Sequence, residues 1–96
     1  MRTKRTKGSD NVFRDLGFSA TEAENLRIRS AMMTALITQL EKRGLTQAQA
    51  ARLLGVSQPR ISDLMRGKIQ LFSIDTLVNM LAAAGLKIHL HVRKAA

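Results

Sequence analysis

Residues 47–66, QAQAARLLGVSQPRISDLMR, are the stretch of this chain that decides its fold. They predict two short helices joined by the three-residue turn Gly55-Val56-Ser57. Gly55 provides the positive φ angle that such a turn requires, and Ala51 is small enough for the two helices to cross closely. Apolar residues stand where the angle between the helices must be sealed: Ala50, Leu54, Val56, Ile61 and Leu64. This spacing is typical of a DNA-binding helix-turn-helix.

Helix-capping residues predict the elements on either side of the motif. Ser19 with Glu22, and Thr46 with Gln49, each fit a capping box, and Ser57 and Ser73 are further N-cap residues. We therefore expect helices over about residues 20–43, 47–54, 58–66 and 74–84, preceded by a short semi-apolar lead-in. The predicted fold class is mainly all-α, a domain of about four helices with one C-terminal β-strand.

The strand is predicted by a change of period after Gly85. Leu86, Ile88, Leu90 and Val92 alternate with Lys87, His89, His91 and Arg93. No second strand of comparable quality exists in the chain, so this strand needs a partner. We expect it to pair with the same strand of a second copy, as a dimerisation element, or with a strand of another protein. The predicted organisation is a disordered basic arm at 1–10, a helical domain at 11–85 and the strand segment at 86–96.

The charge of the chain points to an anionic partner. Its 96 residues include 16 Lys and Arg against 7 Asp and Glu, a net charge of +9. One cluster, the basic arm, contains Arg2, Lys4, Arg5 and Lys7 with no acidic residue among residues 1–9. A second cluster contains Arg52, Arg60, Arg66 and Lys68 against Asp63 alone. Contact with phosphates is one explanation of these charges, and a solvated surface is the other.

Several classes of protein are excluded or disfavoured by composition. The absence of Cys excludes disulfide scaffolds and thiolate metal sites, and the absence of Trp and Tyr disfavours RNA modules that stack bases on aromatics. Neither a membrane span nor a secretory signal is present, so we expect a soluble cytoplasmic protein with no membrane partner. His89 and His91 on one strand face can in principle bridge a metal, but exposed polar residues are the favoured interpretation. We predict no metal, no cofactor and no enzymatic activity.

Residues 44–68, GLTQAQAARLLGVSQPRISDLMRGK, resemble the lambda-repressor-like, or Xre-type, helix-turn-helix domain. A wider pattern, from NVFRDLGFS to FSIDTLVNMLAAAGLKIHLHV, is similar to small Xre-family regulators, many of which are antitoxins of HigA type encoded beside a RelE-like toxin. The resemblance implies binding of double-stranded DNA as a homodimer. Two functions stay open: a repressor acting on a palindromic operator, and an antitoxin that neutralises a RelE-like toxin and autoregulates its operon.

The second helix of the motif is the recognition helix by its position, and its first residues are predicted to read bases. Gln58 suits a bidentate contact to adenine, Arg60 suits guanine O6 and N7, and Pro59 suits a thymine methyl group. Asp63 either accepts a hydrogen bond from cytosine or holds Arg60 or Arg66 in place.

A separate set of residues is predicted to contact phosphates. Gln47 opens the first helix of the motif, where backbone N–H groups favour an anion, and the resemblance implies a backbone contact at this position. Ser57, at the start of the second motif helix, is predicted to contact a phosphate in the same way, although its hydroxyl is also the predicted helix cap. The remaining members of the set are Ser62, Arg66 and Lys68. Arg52 is expected on the outer face of the first motif helix.

Overall fold

The computed structural model describes residues 11–95, and the regular structure in this part of the chain is helical. Its elements are the α-helices α1 (Val12–Asp15), α2 (Ala20–Lys42), α3 (Gln47–Leu54), α4 (Gln58–Met65) and α5 (Ile74–Ala83), with a 3₁₀ turn at Ile69–Leu71 between α4 and α5. The predicted all-α class and the four longer helices are confirmed. The basic arm predicted at residues 1–10 lies outside the described residues.

Helix α2 is the frame on which the other helices pack. Its 23 residues correspond to about 35 Å at 1.5 Å per residue. The predicted capping box begins it: Ser19 Oγ accepts from the Glu22 N–H at 3.2 Å, and Glu22 Oε1 accepts from the Ser19 N–H at 3.4 Å. Along its length α2 contacts α1, α4, α5 and the 3₁₀ turn. One long helix therefore holds the motif and the C-terminal helix in a common arrangement.

A single hydrophobic core joins α2, the motif and α5. The residues that were predicted to seal the motif are buried: Ala50, Ala51, Leu54, Ile61 and Leu64, with Val56 half-buried beside them. The largest fully buried side chains of the core are Phe72, Leu36, Ile61, Leu64 and Leu77. Full burial of a side chain of this size contributes about 1.5–3 kcal/mol. The angle between α3 and α4 is thus set by packing against α2 and α5.

The lead-in before α2 forms a helix that the sequence pattern did not predict. Asn11 caps α1, its Oδ1 accepting from the Phe13 N–H at 2.9 Å, while its Nδ2 donates to the Ala23 carbonyl of α2 at 2.9 Å. The Phe13 and Phe18 rings meet edge to face, with centroids 6.3 Å apart. A four-residue helix is too short to show a period, and the Asn11 side chain that caps it also binds a carbonyl twelve positions away.

The prediction of a β-strand near the C-terminus is wrong for the single chain. The Leu86 N–H donates to the Leu81 carbonyl at 2.9 Å, and Leu86 packs half-buried against the core. Beyond it, no backbone hydrogen bond joins residues 87–95 to any other described residue. A strand requires a neighbouring strand, and every other described element is helical. Ile88, Leu90 and Val92 consequently remain exposed, the last two by 84% and 87%.

Candidate nucleic-acid interface

Helix α3 begins with the second predicted capping box. Thr46 Oγ1 accepts from the Gln49 N–H at 3.1 Å, and Gln49 Oε1 accepts from the Thr46 N–H at 2.9 Å. Gln47 is the first residue of the helix, and its side chain is exposed. The first-turn N–H groups of a helix lack helical acceptors and lie at the positive end of its dipole. Gln47 therefore lies at an exposed helix N-terminus, and its contact with a phosphate stays a prediction.

The turn between the motif helices depends on the backbone conformation of Gly55. Its φ and ψ of 70° and 32° are left-handed, and the Val56 N–H that follows donates to the Ala51 carbonyl at 3.0 Å. A Cβ built at this position meets no other atom within 4 Å, so glycine is required here by its backbone and not by lack of space. The left-handed residue redirects the chain within three residues, which places the start of α4 beside α3.

Helix α4 begins at the cap that the sequence predicted. Ser57 Oγ accepts from the Arg60 N–H at 3.3 Å, and Pro59 occupies the first turn, where its missing N–H costs nothing. Gln58 and Pro59 are exposed at this end, Ser62 is half-buried one turn later, and Ile61 and Leu64 face the core. The start of α4 therefore presents an amide and an apolar ring to solvent on a helix fixed from behind.

Arg60 is placed differently from its exposed neighbours. Its side chain is half-buried, and its Cζ atom lies 4.2 Å from the centroid of the Phe72 ring. Phe72 itself is fully buried, so the guanidinium covers one side of a core aromatic. The sequence pattern predicted Arg60 as a base-reading residue but did not predict this contact, which joins residues twelve positions apart.

The two alternatives for Asp63 can be compared with its observed partner. Its Oδ1 lies 3.4 Å from Lys68 Nζ, and the Lys68 N–H donates to the Asp63 carbonyl at 3.1 Å. Asp63 thus pairs within the protein, although with Lys68 and not with Arg60 or Arg66. Both partners keep solvent exposure, so the pair itself adds little stability. Its effect at this surface is to neutralise part of the Lys68 charge.

Arg66 and Arg52 are the exposed cations of the motif. Arg66 ends α4 as its C-cap and forms no ion pair with another described residue. Arg52 lies exposed on α3, as expected for an outer-face position. With Arg60 and Lys68 these residues make the surface of the motif basic, with Asp63 as the acidic residue among them.

Arg29 of α2 contributes to this region and was missed in the sequence. Its Nη1 donates to the Ile69 carbonyl at 3.2 Å and to the Phe72 carbonyl at 3.4 Å, while its Nε donates to Asn25 Oδ1 at 2.7 Å. It therefore ties the 3₁₀ turn behind α4 to the long helix. A contact across forty residues leaves no local pattern, so no sequence signal pointed to it.

Comparison with known proteins extends over most of the chain. Residues 12–93 match the protein family described as "Helix-turn-helix domain". A solved structure of an XRE-family transcriptional regulator superimposes with a TM-score of 0.72 at 31% identity, covering 77% of this chain and 83% of that one. The chain belongs to the XRE family of helix-turn-helix regulators. This XRE-family protein is also 32% identical over 75 residues to an HTH-type transcriptional regulator of Haemophilus influenzae, covering 78% of this chain and 76% of the relative.

Membership of the XRE family confirms the general functional prediction. The chain is a DNA-binding helix-turn-helix protein of a family that regulates transcription and is not enzymatic. No helix among residues 11–95 is long and apolar enough to cross a bilayer.

Proposed function

We propose that this protein is a repressor that binds a palindromic operator as a homodimer. The observation that carries the proposal is the start of α4, where Gln58 and Pro59 are exposed while Ile61 and Leu64 anchor the helix in the core. A rigid helix with polar and apolar groups at its exposed N-terminal end suits the major groove. One such end reads only a few base pairs, so two copies on half-sites about 34 Å apart supply the remaining affinity.

In this proposal base reading and phosphate contact belong to different residues. Gln58 reads adenine, Arg60 reads guanine and Pro59 contacts a thymine methyl group. The phosphate-contacting set is Gln47, Ser57, Ser62, Arg66 and Lys68, with the basic arm (Arg2, Lys4, Arg5 and Lys7) adding affinity without specificity. The Asp63–Lys68 pair favours an ion pair within the protein as the function of Asp63 over a contact with cytosine. It also makes Lys68 a weaker phosphate ligand than the unpaired Arg66.

The dimer is proposed to form through residues 86–93 of two copies. Leu86 lies against the core, and the exposed row Ile88, Leu90 and Val92 continues from it without backbone partners among the described residues. Antiparallel pairing of the two segments about a two-fold axis gives the facing edge of each backbone its hydrogen-bond partners and brings both apolar rows together on one face of the ribbon. The chain is then divided into the basic arm at 1–10, the DNA-binding domain at 11–85 and the dimerisation segment at 86–96.

The same segment also favours a second candidate function. A segment with free backbone donors and acceptors and an alternating apolar row can add as a strand to the sheet of another protein. In that case the chain is the antitoxin of a type II pair, which neutralises a RelE-like toxin and represses its own operon. DNA binding is common to both functions.

Selection from a random duplex library tests the proposed function. The purified full-length chain is incubated with the library near physiological ionic strength, and bound sequences are enriched over several rounds. We expect a two-fold symmetric consensus with half-sites one helical turn apart. Recovery of unrelated sequences with equal affinity would overturn the proposal. Co-expression with the protein encoded by the neighbouring gene separates the two candidates, because only an antitoxin relieves the growth arrest caused by that protein.

A further inference from the structure

Phe72 makes a contact that its place in the core does not require. Its ring is fully buried, yet the Arg60 guanidinium of α4 lies over one side of the ring, with its Cζ atom 4.2 Å from the centroid. Aromatic faces attract cations, and arginine in addition stacks its planar group on them. The residue next to the recognition helix is thus an aromatic platform.

The backbone around this platform is held in place by helix α2. Phe72 follows the 3₁₀ turn, where its own N–H donates to the Ile69 carbonyl at 3.2 Å. Arg29 of α2 donates to the carbonyls of both Ile69 and Phe72, and Asn25 accepts from Arg29 in turn. The backbone that carries the ring is therefore tied to the longest helix, and the ring itself is packed in the core.

We infer that Phe72 is a positioning residue for sequence reading, which holds the Arg60 guanidinium in the orientation that reads a guanine. This inference rests on the proposed function. A stacked guanidinium has its face covered while the N–H donors at its edge stay available, and those donors are the ones that match guanine O6 and N7. A side chain ordered before binding loses less rotamer freedom in the complex. Arg66, which has no such platform, suits a phosphate, for which orientation matters less.

The test compares the full-length protein with Phe72→Leu, in which an apolar residue remains but the aromatic face is removed. Leu36→Val is the matched control, because it disturbs a fully buried position of α2. Arg60→Ala first identifies the base pair that Arg60 reads. We expect Phe72→Leu to lower discrimination at that pair by about two- to thirtyfold, the range of a cation–π contact. Discrimination at the pair read by Gln58 is expected to stay unchanged, and Leu36→Val is expected to alter neither.

A double variant excludes a merely structural effect. In the Arg60→Ala background, Phe72→Leu should cause no further loss of discrimination, because the group that it positions is absent. Full discrimination by Phe72→Leu at the Arg60 pair would overturn the inference. Equal losses at the Arg60 and Gln58 pairs would overturn it too, because they would indicate general damage to the fold.

NMR of the free wild-type protein provides a readout that needs neither DNA nor a folded variant. A guanidinium over an aromatic face places the Arg60 Hδ protons in the shielding region of the ring, so we expect their signals upfield of the ordinary arginine range. Signals at ordinary positions would overturn the inference even where operator binding is specific. Upfield signals together with no sequence preference in the wild type would instead show that the proposed function has failed, and the positioning inference with it.

Discussion

Gln58 and Arg60 are two residues apart, yet they meet different conditions on α4. Gln58 is exposed and makes no side-chain hydrogen bond to another described residue, whereas Arg60 is half-buried over Phe72. In the proposed function, a stacked guanidinium and a solvent-exposed amide contribute to recognition in different ways. We expect the guanidinium to enter the groove already oriented and the amide to lose rotamer freedom only when it binds adenine. Single substitutions at the two positions should therefore change the entropy of DNA binding by different amounts.

Gln58→Ala is expected to relax discrimination at one base pair of each half-site. Loss of a bidentate amide–adenine contact corresponds to about 1–3 kcal/mol of discrimination. Fluorescence anisotropy titrations on the selected operator and on singly substituted operators measure this quantity. Gln70→Ala is the matched control, because it removes an exposed glutamine outside the motif and should leave every titration unchanged. Unaltered discrimination in Gln58→Ala would remove this residue from the reading set.

Local and distant residues differ in how well the sequence predicts them. Ser19, Thr46, Ser57 and Ser73 were all identified as caps, because a cap is a contact across two or three positions. The sequence did not predict the Arg60–Phe72 and Arg29–Phe72 contacts, because they depend on how the helices pack in space. The candidate DNA-contacting residues follow from the local pattern and stay predictions, whereas the platform behind Arg60 could not be predicted from the sequence.

Among the elements, α4 carries the proposed reading surface and is only eight residues long. An isolated helix of this length is not stable in water, so its cap and its packing must maintain it. In the proposed function, the Ser57 cap is also at the end that approaches the groove. Stability and DNA binding are then expected to depend on the same hydroxyl group.

Ser57→Ala should lower both the free energy of unfolding and the affinity for the operator, whereas Ser73→Ala should lower only the free energy of unfolding. Each variant removes an N-cap hydroxyl, Ser57 from α4 and Ser73 from α5, at a cost of about 1 kcal/mol in the free energy of unfolding. Urea denaturation measures that cost, and operator titrations measure affinity. Equal affinities of the two variants for the operator would show that Ser57 acts as a cap alone.

The basic arm is a sequence-based prediction that salt dependence can test. Its four cations, Arg2, Lys4, Arg5 and Lys7, release counterions if they meet phosphates. Deleting residues 2–7 should then flatten the slope of log K against log salt concentration, by up to about 0.9 for each lost phosphate contact. The slope should change by the same amount in titrations on the operator and in titrations on a random duplex. An unchanged slope would mean that the arm does not touch DNA.

The elements that were mispredicted share a physical cause. Helix α1 is joined to α2 by the hydrogen bond from Asn11 to the Ala23 carbonyl, which no local pattern indicates, and the strand at residues 86–93 needs a partner that a single chain lacks. The alternation of apolar and polar residues at 86–93 shows that the segment can form a β-strand when a partner strand is present. It does not show that the segment forms a strand in a single chain.

At the scale of the whole molecule, the proposed dimer connects the C-terminal segment to operator binding. The recognition helices of two chains increase each other's affinity for DNA only when the chains are joined at a fixed spacing. In this proposal that connection is made by residues 86–93, which follow directly after α5 and the core. Removing the segment takes away the contact of Leu86 with the core but no residue of the motif, so each recognition helix should keep its surface and lose its connection to the other.

Truncation after Gly85 is expected to yield monomers with much weaker operator binding. Light scattering coupled to size-exclusion chromatography measures the assembly, and the residual affinity should approach that of one half-site. His89→Ala is the control, because it changes the alternate row of the same segment and keeps the apolar row. A truncated protein that is still dimeric would make α2 the better candidate for the interface.

The unpaired segment at residues 87–95 also has a consequence for solubility. Exposed apolar residues on an open edge are the usual starting point of fibril growth. Here Lys87, Arg93 and Lys94 lie along the same segment. Stacking of many copies in parallel register would place each cation against its own equivalent, which is unfavourable. Antiparallel pairing of two copies puts different residues opposite each other, so a register that keeps Lys87 away from Arg93 avoids this repulsion. In such a register the pattern of charges favours a closed pair over an open polymer.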